Sequence, residues 1–251
     1  MDTLYNVNGL QFWDSREIRL RKRFEEHFAE EIEQNLLKLN SAWKFFQCET
    51  PILTPRSVLN SNYTNEDIWA QEQINEFEAG LALRPETTPG SYTYAEYLMI
   101  HQLSNPPYVV WQTGKSFRRE QEQPSKHCRF KEFYQQEFQC IYSADTKNDY
   151  QEQMLEPVRK MIGEMIGLPT RIVESDRLPS YSLRTMDIEV EIPNFRWMEV
   201  CSISKRTDLP FKATFTNPKN GNVVQKDCLV LEIAIGLDRV NYCFNEKSKL
   251  L

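Results

Sequence analysis

The sequence predicts an α+β fold in which antiparallel strands form a sheet and the helices group outside it. Three observations carry that expectation. Residues 14–40 show a helical apolar period, 181–201 alternate as strands, and 229–235 form a short apolar run closed by Gly236. With no repeat, linker or low-complexity tail to divide them, residues 1–251 read as one domain.

The elements follow in order. Asp14 with Glu17 has the spacing of a capping box, and Ile18, Phe24, Phe28, Ile32 and Leu36 recur near helical spacing behind it. Lys and Arg crowd the first half of this helix and Glu the second, a pattern read as a solvated face. From Trp43 to Pro55 aromatic residues lead to prolines suited to an edge strand, and 59–79 is polar enough to be a loop with short helical turns. Leu81 to Leu83 make a short strand running into Arg84-Pro85-Glu86-Thr87. A helix is expected over Tyr94–Gln102, stopped by Asn105-Pro106-Pro107. Tyr108–Gln112 and Phe130–Tyr142 flank a polar loop as the arms of a long hairpin. Glu152–Ile166 reads as a helix ended by Gly167, and Gly236 permits a tight passage from strand to helix.

Composition narrows the function classes. A chain that is 40% hydrophobic and 26% charged is that of a globular enzyme, not a disordered segment. No apolar run approaches the ~20 residues that span a bilayer, and the N-terminus lacks a basic stretch followed by an apolar one, so a cytoplasmic protein with no membrane partner is expected. The six cysteines show no Cys-x-x-Cys spacing, and three histidines are too few for a histidine-rich metal site. At a net charge of -6, any contact with RNA must use a local basic surface.

The residues suited to chemistry concentrate between Gly114 and Glu137. Arg118, Glu120, Arg129, Phe133 and Glu137 offer cations for phosphates, carboxylates, and an aromatic face for a ring. An Arg fork can hold a carboxylate and a phosphate together, the role expected of Arg118. Glu120 is placed to accept from an adenine amino group, Phe133 to stack on the ring, and Arg129 to reach outer phosphates, with His127 as an alternative. Pro85 stiffens the backbone beside Glu86, which suits that carboxylate to a small cationic group such as an α-amino group.

Arg118, Glu120, Arg129, Phe133 and Glu137 in that order resemble motif 2 of the class II aminoacyl-tRNA synthetases. Leu231 to Val240, reading LEIAIGLDRV, resembles motif 3. That resemblance gives Arg239 the other face of adenine and the γ-phosphate, and gives Glu232 to Mg²⁺ or the amino acid. The helix from Asp14, the following strand and Pro51 resemble motif 1, which implies a homodimer. LRPET and the stretch from Arg184 to Asp208 are similar to glycyl-tRNA synthetases, implying an amino-acid pocket with Arg84, Glu86, Glu137, Glu199, Ser202 and Glu232. Four glutamates, Glu86, Glu137, Glu199 and Glu232, are expected to converge on one ammonium.

The resemblance implies ATP-dependent activation of a small amino acid, glycine first, with Arg118 and Arg239 as the catalytic cations, and transfer to the 3′ end of a tRNA. Lys115, Arg119, Lys126, Lys131, Lys205 and Lys212 offer a basic rim for an acceptor stem. Two departures qualify it. Ala234 stands where glycyl enzymes carry Ser, which admits alanine or serine, and the chain ends twelve residues after Arg239, short of an anticodon-binding domain. A ligase loading a carrier protein or other acceptor, and a non-catalytic subunit of the same fold, are the alternatives.

Overall fold

The computed structural model describes residues 5–7, 10–62, 74–101, 105–119, 128–176, 178–193, 196–216 and 223–248. A short hairpin of β1 (Tyr5–Val7) and β2 (Leu10–Phe12) precedes α1 (Ser15–Leu39). The expected capping box starts this helix: the Asp14 carboxylate accepts from the Glu17 amide at 2.8 Å, and the Glu17 side chain accepts from the Asp14 amide at 3.2 Å. Phe24, Phe28, Ile32 and Leu36 are buried, a stripe at i, i+4 spacing that turns one helix face to the core.

After β3 (Lys44–Gln47), a small sheet is built from β4 (Leu53–Pro55), β5 (Asn75–Glu78) and β6 (Leu81–Leu83) in the order β4-β6-β5. Part of the 59–79 segment expected as loop is thus ordered, as the end of α2 (Arg56–Asn62) and as β5. Helix α3 (Thr88–Ile100) starts well before the expected Tyr94. Pro89 sits in its first turn, where a missing N–H costs nothing, so the proline starts the helix and does not break it.

The long hairpin is present as β7 (Tyr108–Phe117) and β8 (Glu132–Ser143). Helix α4 (Tyr150–Ile166) is capped by Asp149 and closed by Gly167 at φ 71°, where a side chain would be strained. There follow β9 (Thr170–Glu174), β10 (Ser182–Ile192), β11 (Arg196–Arg206), the hairpin β12 (Ala213–Thr216) and β13 (Val223–Lys226), then β14 (Cys228–Gly236) and α5 (Leu237–Ser248).

Seven strands form the main sheet in the order β3-β7-β8-β14-β11-β10-β9, antiparallel throughout except for β3 beside β7. This mixed α and β architecture is the one expected. Alternation gives the sheet two different faces. Phe138, Cys140, Leu231, Ile233, Ile203 and Ile188 join the α1, α4 and α5 side chains in the larger core. The interleaved residues Glu137, Gln139, Glu232, Ala234, Ser202, Ser204, Thr185 and Asp187 lie on the other face. There the register aligns Glu137, Ala234, Ser202 and Asp187 in one row and Gln139, Glu232, Ser204 and Thr185 in the next. Helix α3 covers one end of this polar face through Tyr92, Ala95 and Leu98, and the rest is open. Among the described residues, no helix is long and apolar enough to cross a membrane.

Candidate active site

The open part of the polar face is a cavity of about 480 Å³. Of the residues expected at a site, Glu86, Arg118, Arg129, Phe133, Glu137, Glu199, Ser202, Glu232 and Arg239 all line it. Glu120, His127 and Lys126 lie outside the described residues.

One end is acidic and organised by a residue that the sequence reading did not assign. Arg206, at the end of β11, is fully buried. Its Nη1 lies 2.7 Å from Glu232 and 3.3 Å from Glu86, its Nη2 lies 2.7 Å from Asp208, and its guanidinium packs 4.0 Å from the Tyr181 ring centre. Burial alone would lower the Arg206 pKa, but Glu232, Tyr92 and Asp208 outweigh it and push it well above the ordinary value. Glu137 is held differently. It accepts from the Thr87 amide at 3.0 Å and from the Thr87 and Thr88 hydroxyls, so hydroxyls and an amide hold this buried carboxylate in place of a cation. Burial, then the charges of Glu232 and Glu86, raise its pKa. Thr87, at the helix N-cap, makes no side-chain cap because its hydroxyl serves Glu137.

The other end carries the cations. Arg118 follows β7, donates from Nε to the Pro85 carbonyl at 3.0 Å, and sits 5.2 Å from the Phe133 ring centre. Arg239, in the first turn of α5, donates to the Glu199 carbonyl at 2.9 Å and pairs with its carboxylate at 3.4 Å. Phe133 on β8 and Arg239 line the cavity together with Gly236, which adds no side chain there. Asp238 is buried and accepts from the Tyr134 amide at 2.5 Å; burial pushes its pKa up to about 7. Further along the row, Asp187 is raised to about 6 by burial and then by Glu199.

Three expectations are corrected by this geometry. Arg84 does not line the cavity: its guanidinium lies over Gly114 of β7, beside the cavity, donating to the carbonyls of Lys115 and Thr50, each at 2.8 Å. The four glutamates do not meet at one point, because Glu199 is drawn to Arg239 while Glu86 and Glu232 share Arg206. Glu232 does not fit as a metal ligand. Its Oε2 already takes Arg206 at 2.7 Å, Gln139 at 2.8 Å and Thr88 at 2.9 Å, and a guanidinium in contact repels a second cation. Among the described residues no cluster of His, Cys, Asp and Glu has the makings of a metal site. Of the basic rim, Lys115, Lys205 and Lys212 are ion-paired with Glu132, Asp149 and Asp227.

A fold with this sheet, this hairpin and this pairing of Arg118 and Phe133 with Arg239 narrows the comparison to one kind of protein. Residues 69–248 match the family model described as tRNA synthetase class II core domain (G, H, P, S and T). The chain belongs to this family. Class II synthetases use ATP. Among its relatives, the glycine–tRNA ligase of Mycoplasma capricolum is 30% identical over 170 residues, covering 63% of this chain and 37% of that enzyme. That of Mycoplasmopsis synoviae is 28% identical over 187 residues, covering 68% of this chain and 40% of the enzyme. The synthetase core thus spans well under half the length of these curated relatives.

Proposed function

We propose that this synthetase core activates a small amino acid, glycine first, with ATP and transfers it to the 3′ end of a tRNA, residues 1–251 acting as one catalytic domain. The observation that carries the reading is one cavity in which Arg118, Phe133 and Arg239 face a buried acidic end built from Glu86, Glu137 and Glu232. Adenine fits between Phe133 and Arg239, and the triphosphate reaches Arg129. Glu137 is the anchor for the substrate ammonium, since Glu86 and Glu232 are committed to Arg206 while no cation among the described residues pairs with Glu137. Held there, the amino acid directs its carboxylate toward Arg118.

A carboxylate oxygen attacks the α-phosphorus in line, its bond forms as the bond to pyrophosphate breaks, and Arg118 meets the charge that builds on the α-phosphate. Positioning and electrostatics suffice for this step, which needs no general base. The acceptor hydroxyl then attacks the activated carbonyl and AMP leaves. Mg²⁺ belongs in this reading to the triphosphate, because Glu232 Oε2 already takes three donors, one of them the Arg206 guanidinium. A cytoplasmic location and a homodimer formed through 14–55 complete the proposal; the exposed Ile52 and Leu53 supply apolar surface for such a contact.

A second acceptor, such as a carrier protein, is favoured by one observation: three lysines of the expected RNA rim are already paired. Trapping with hydroxylamine tests the first step. Glycine, ATP and hydroxylamine should give glycine hydroxamate and AMP, and Arg118→Ala should abolish both. Hydroxamate formation without acylation of total tRNA would move the acceptor to the second reading, and no hydroxamate with any amino acid would end both.

A further inference from the structure

We propose that Arg84 is a positioning residue that aims Arg118 at its substrate from outside the cavity, an inference that rests on the reading of Arg118 as an ATP contact. Arg84 is buried, with 3% of its surface exposed, and the groups it touches are carbonyls, a hydroxyl and an amide. Nε donates to the Lys115 carbonyl at 2.8 Å. Nη1 donates to the Thr50 carbonyl at 2.8 Å and hydroxyl at 3.0 Å, with the Gln112 amide oxygen at 3.4 Å. Burying a guanidinium this way is costly, and burial lowers the pKa of Arg84. A fork that spends its donors on backbone carbonyls of two separate segments fixes those segments relative to each other.

The backbone of Arg84 finishes the clamp. Its amide donates to the Ile52 carbonyl at 3.0 Å, and its carbonyl accepts from the Phe117 amide at 2.9 Å. Arg84 is therefore tied on one side to the strand approaching β4 and on the other to the end of β7, one residue before Arg118. The next carbonyl, that of Pro85, takes the Arg118 Nε at 3.0 Å, and the next side chain, Glu86, meets Arg206. Each displacement of the Arg84 backbone thus moves the acceptor that orients Arg118. The socket is also shaped for this side chain: a Cβ on Gly114 would lie 2.1 Å from Nη2, so a residue other than glycine would push the guanidinium out.

A double-mutant cycle on the full chain tests the link. ATP affinity is measured by calorimetric titration, and amino-acid-dependent pyrophosphate exchange by isotope, for Arg84→Lys, Arg118→Ala and the pair. Arg84→Lys keeps the charge but loses the fork, and should weaken ATP about 10-fold and slow exchange about 100-fold, as misplacement by an ångström does. The ATP-affinity loss should vanish in the Arg118→Ala background, where exchange is already abolished, since one residue acts through the other. Thr50→Val, which removes only one acceptor, and Gly114→Ala, which crowds the guanidinium, should repeat the pattern more weakly; they carry the same cycle if Arg84→Lys does not fold. A loss of ATP affinity that persists undiminished beside Arg118→Ala, or ATP binding and exchange left unchanged by all three variants, would overturn the proposal. If the wild-type chain binds ATP without exchange, the adenylation reading fails while the ATP arm still decides the role of Arg84.

Discussion

Replacing Arg206 by Met removes the counter-charge of three carboxylates at once while filling similar space. Arg206 is fully buried and stands 2.7 Å from both Glu232 and Asp208 and 3.3 Å from Glu86. Deleting one partner of a buried ion pair costs about 3–5 kcal/mol, and here several partners are orphaned together. Glu232 can escape by taking a proton, so the cost depends on pH. Without the Arg206 charge that pulls its pKa down, burial holds the folded pKa of Glu232 further above the unfolded value of about 4.3, so stability is fully present below that value and is lost as pH rises through the folded one. Glu232 already shows this direction in the wild type, raised by burial against the opposing pull of Arg206. Urea unfolding at pH 5 and pH 8 should therefore show a gap between wild type and Arg206→Met that widens at the higher pH and reaches about 3–5 kcal/mol. A gap under about 1 kcal/mol, the value of an exposed pair, or one that does not change with pH, would refute the reasoning.

Phe133→Ala should raise the KM for ATP by about 5- to 100-fold, the range expected for one base-stacking contact, while the melting temperature changes little because the ring is only half-buried; steady-state kinetics against ATP check it. Asp238 has a folded pKa of about 7, above its unfolded value, so the wild-type chain should lose stability as pH rises from about 4 toward 7. Asp238→Asn keeps an acceptor for the Tyr134 amide and removes the buried charge; its melting temperature should fall less between pH 5 and pH 8 than that of the wild type, and an equal fall in the two would contradict the assignment.

Local signals carried much of this architecture. The Asp14 and Glu17 box, Gly167 and the arms of the long hairpin are readable because each depends on residues near in sequence. Motif residues were readable for the same reason: Arg118 and Phe133 meet on facing arms of a single hairpin. Arg206 was not assigned, because its three partners come from the turn before α3, from β14 and from the segment after β11, and only the folded sheet gathers them. A faint signal existed in parity, since Ser202, Ser204 and Arg206 alternate on the face that carries Glu232. Arg84 misled for a related reason. Its neighbour Glu86 faces the cavity, but the chain bends over 85–87, so the alternation of a strand does not carry the two side chains to one side. Asp187 and Asp238 stand inside the motif stretches without an assigned role, because an acid in a strand or a first helical turn is usually solvated and their burial comes from elements distant in the chain.

The central claim is that the acidic end and the Arg118 end of one cavity form an amino-acid activating site. Exchange of labelled pyrophosphate into ATP, run with each of the twenty amino acids, tests it most directly. Exchange should require a small amino acid, glycine first, and should disappear in Glu137→Gln as well as in Arg118→Ala. Exchange absent with every amino acid, or equally fast without one, would contradict it.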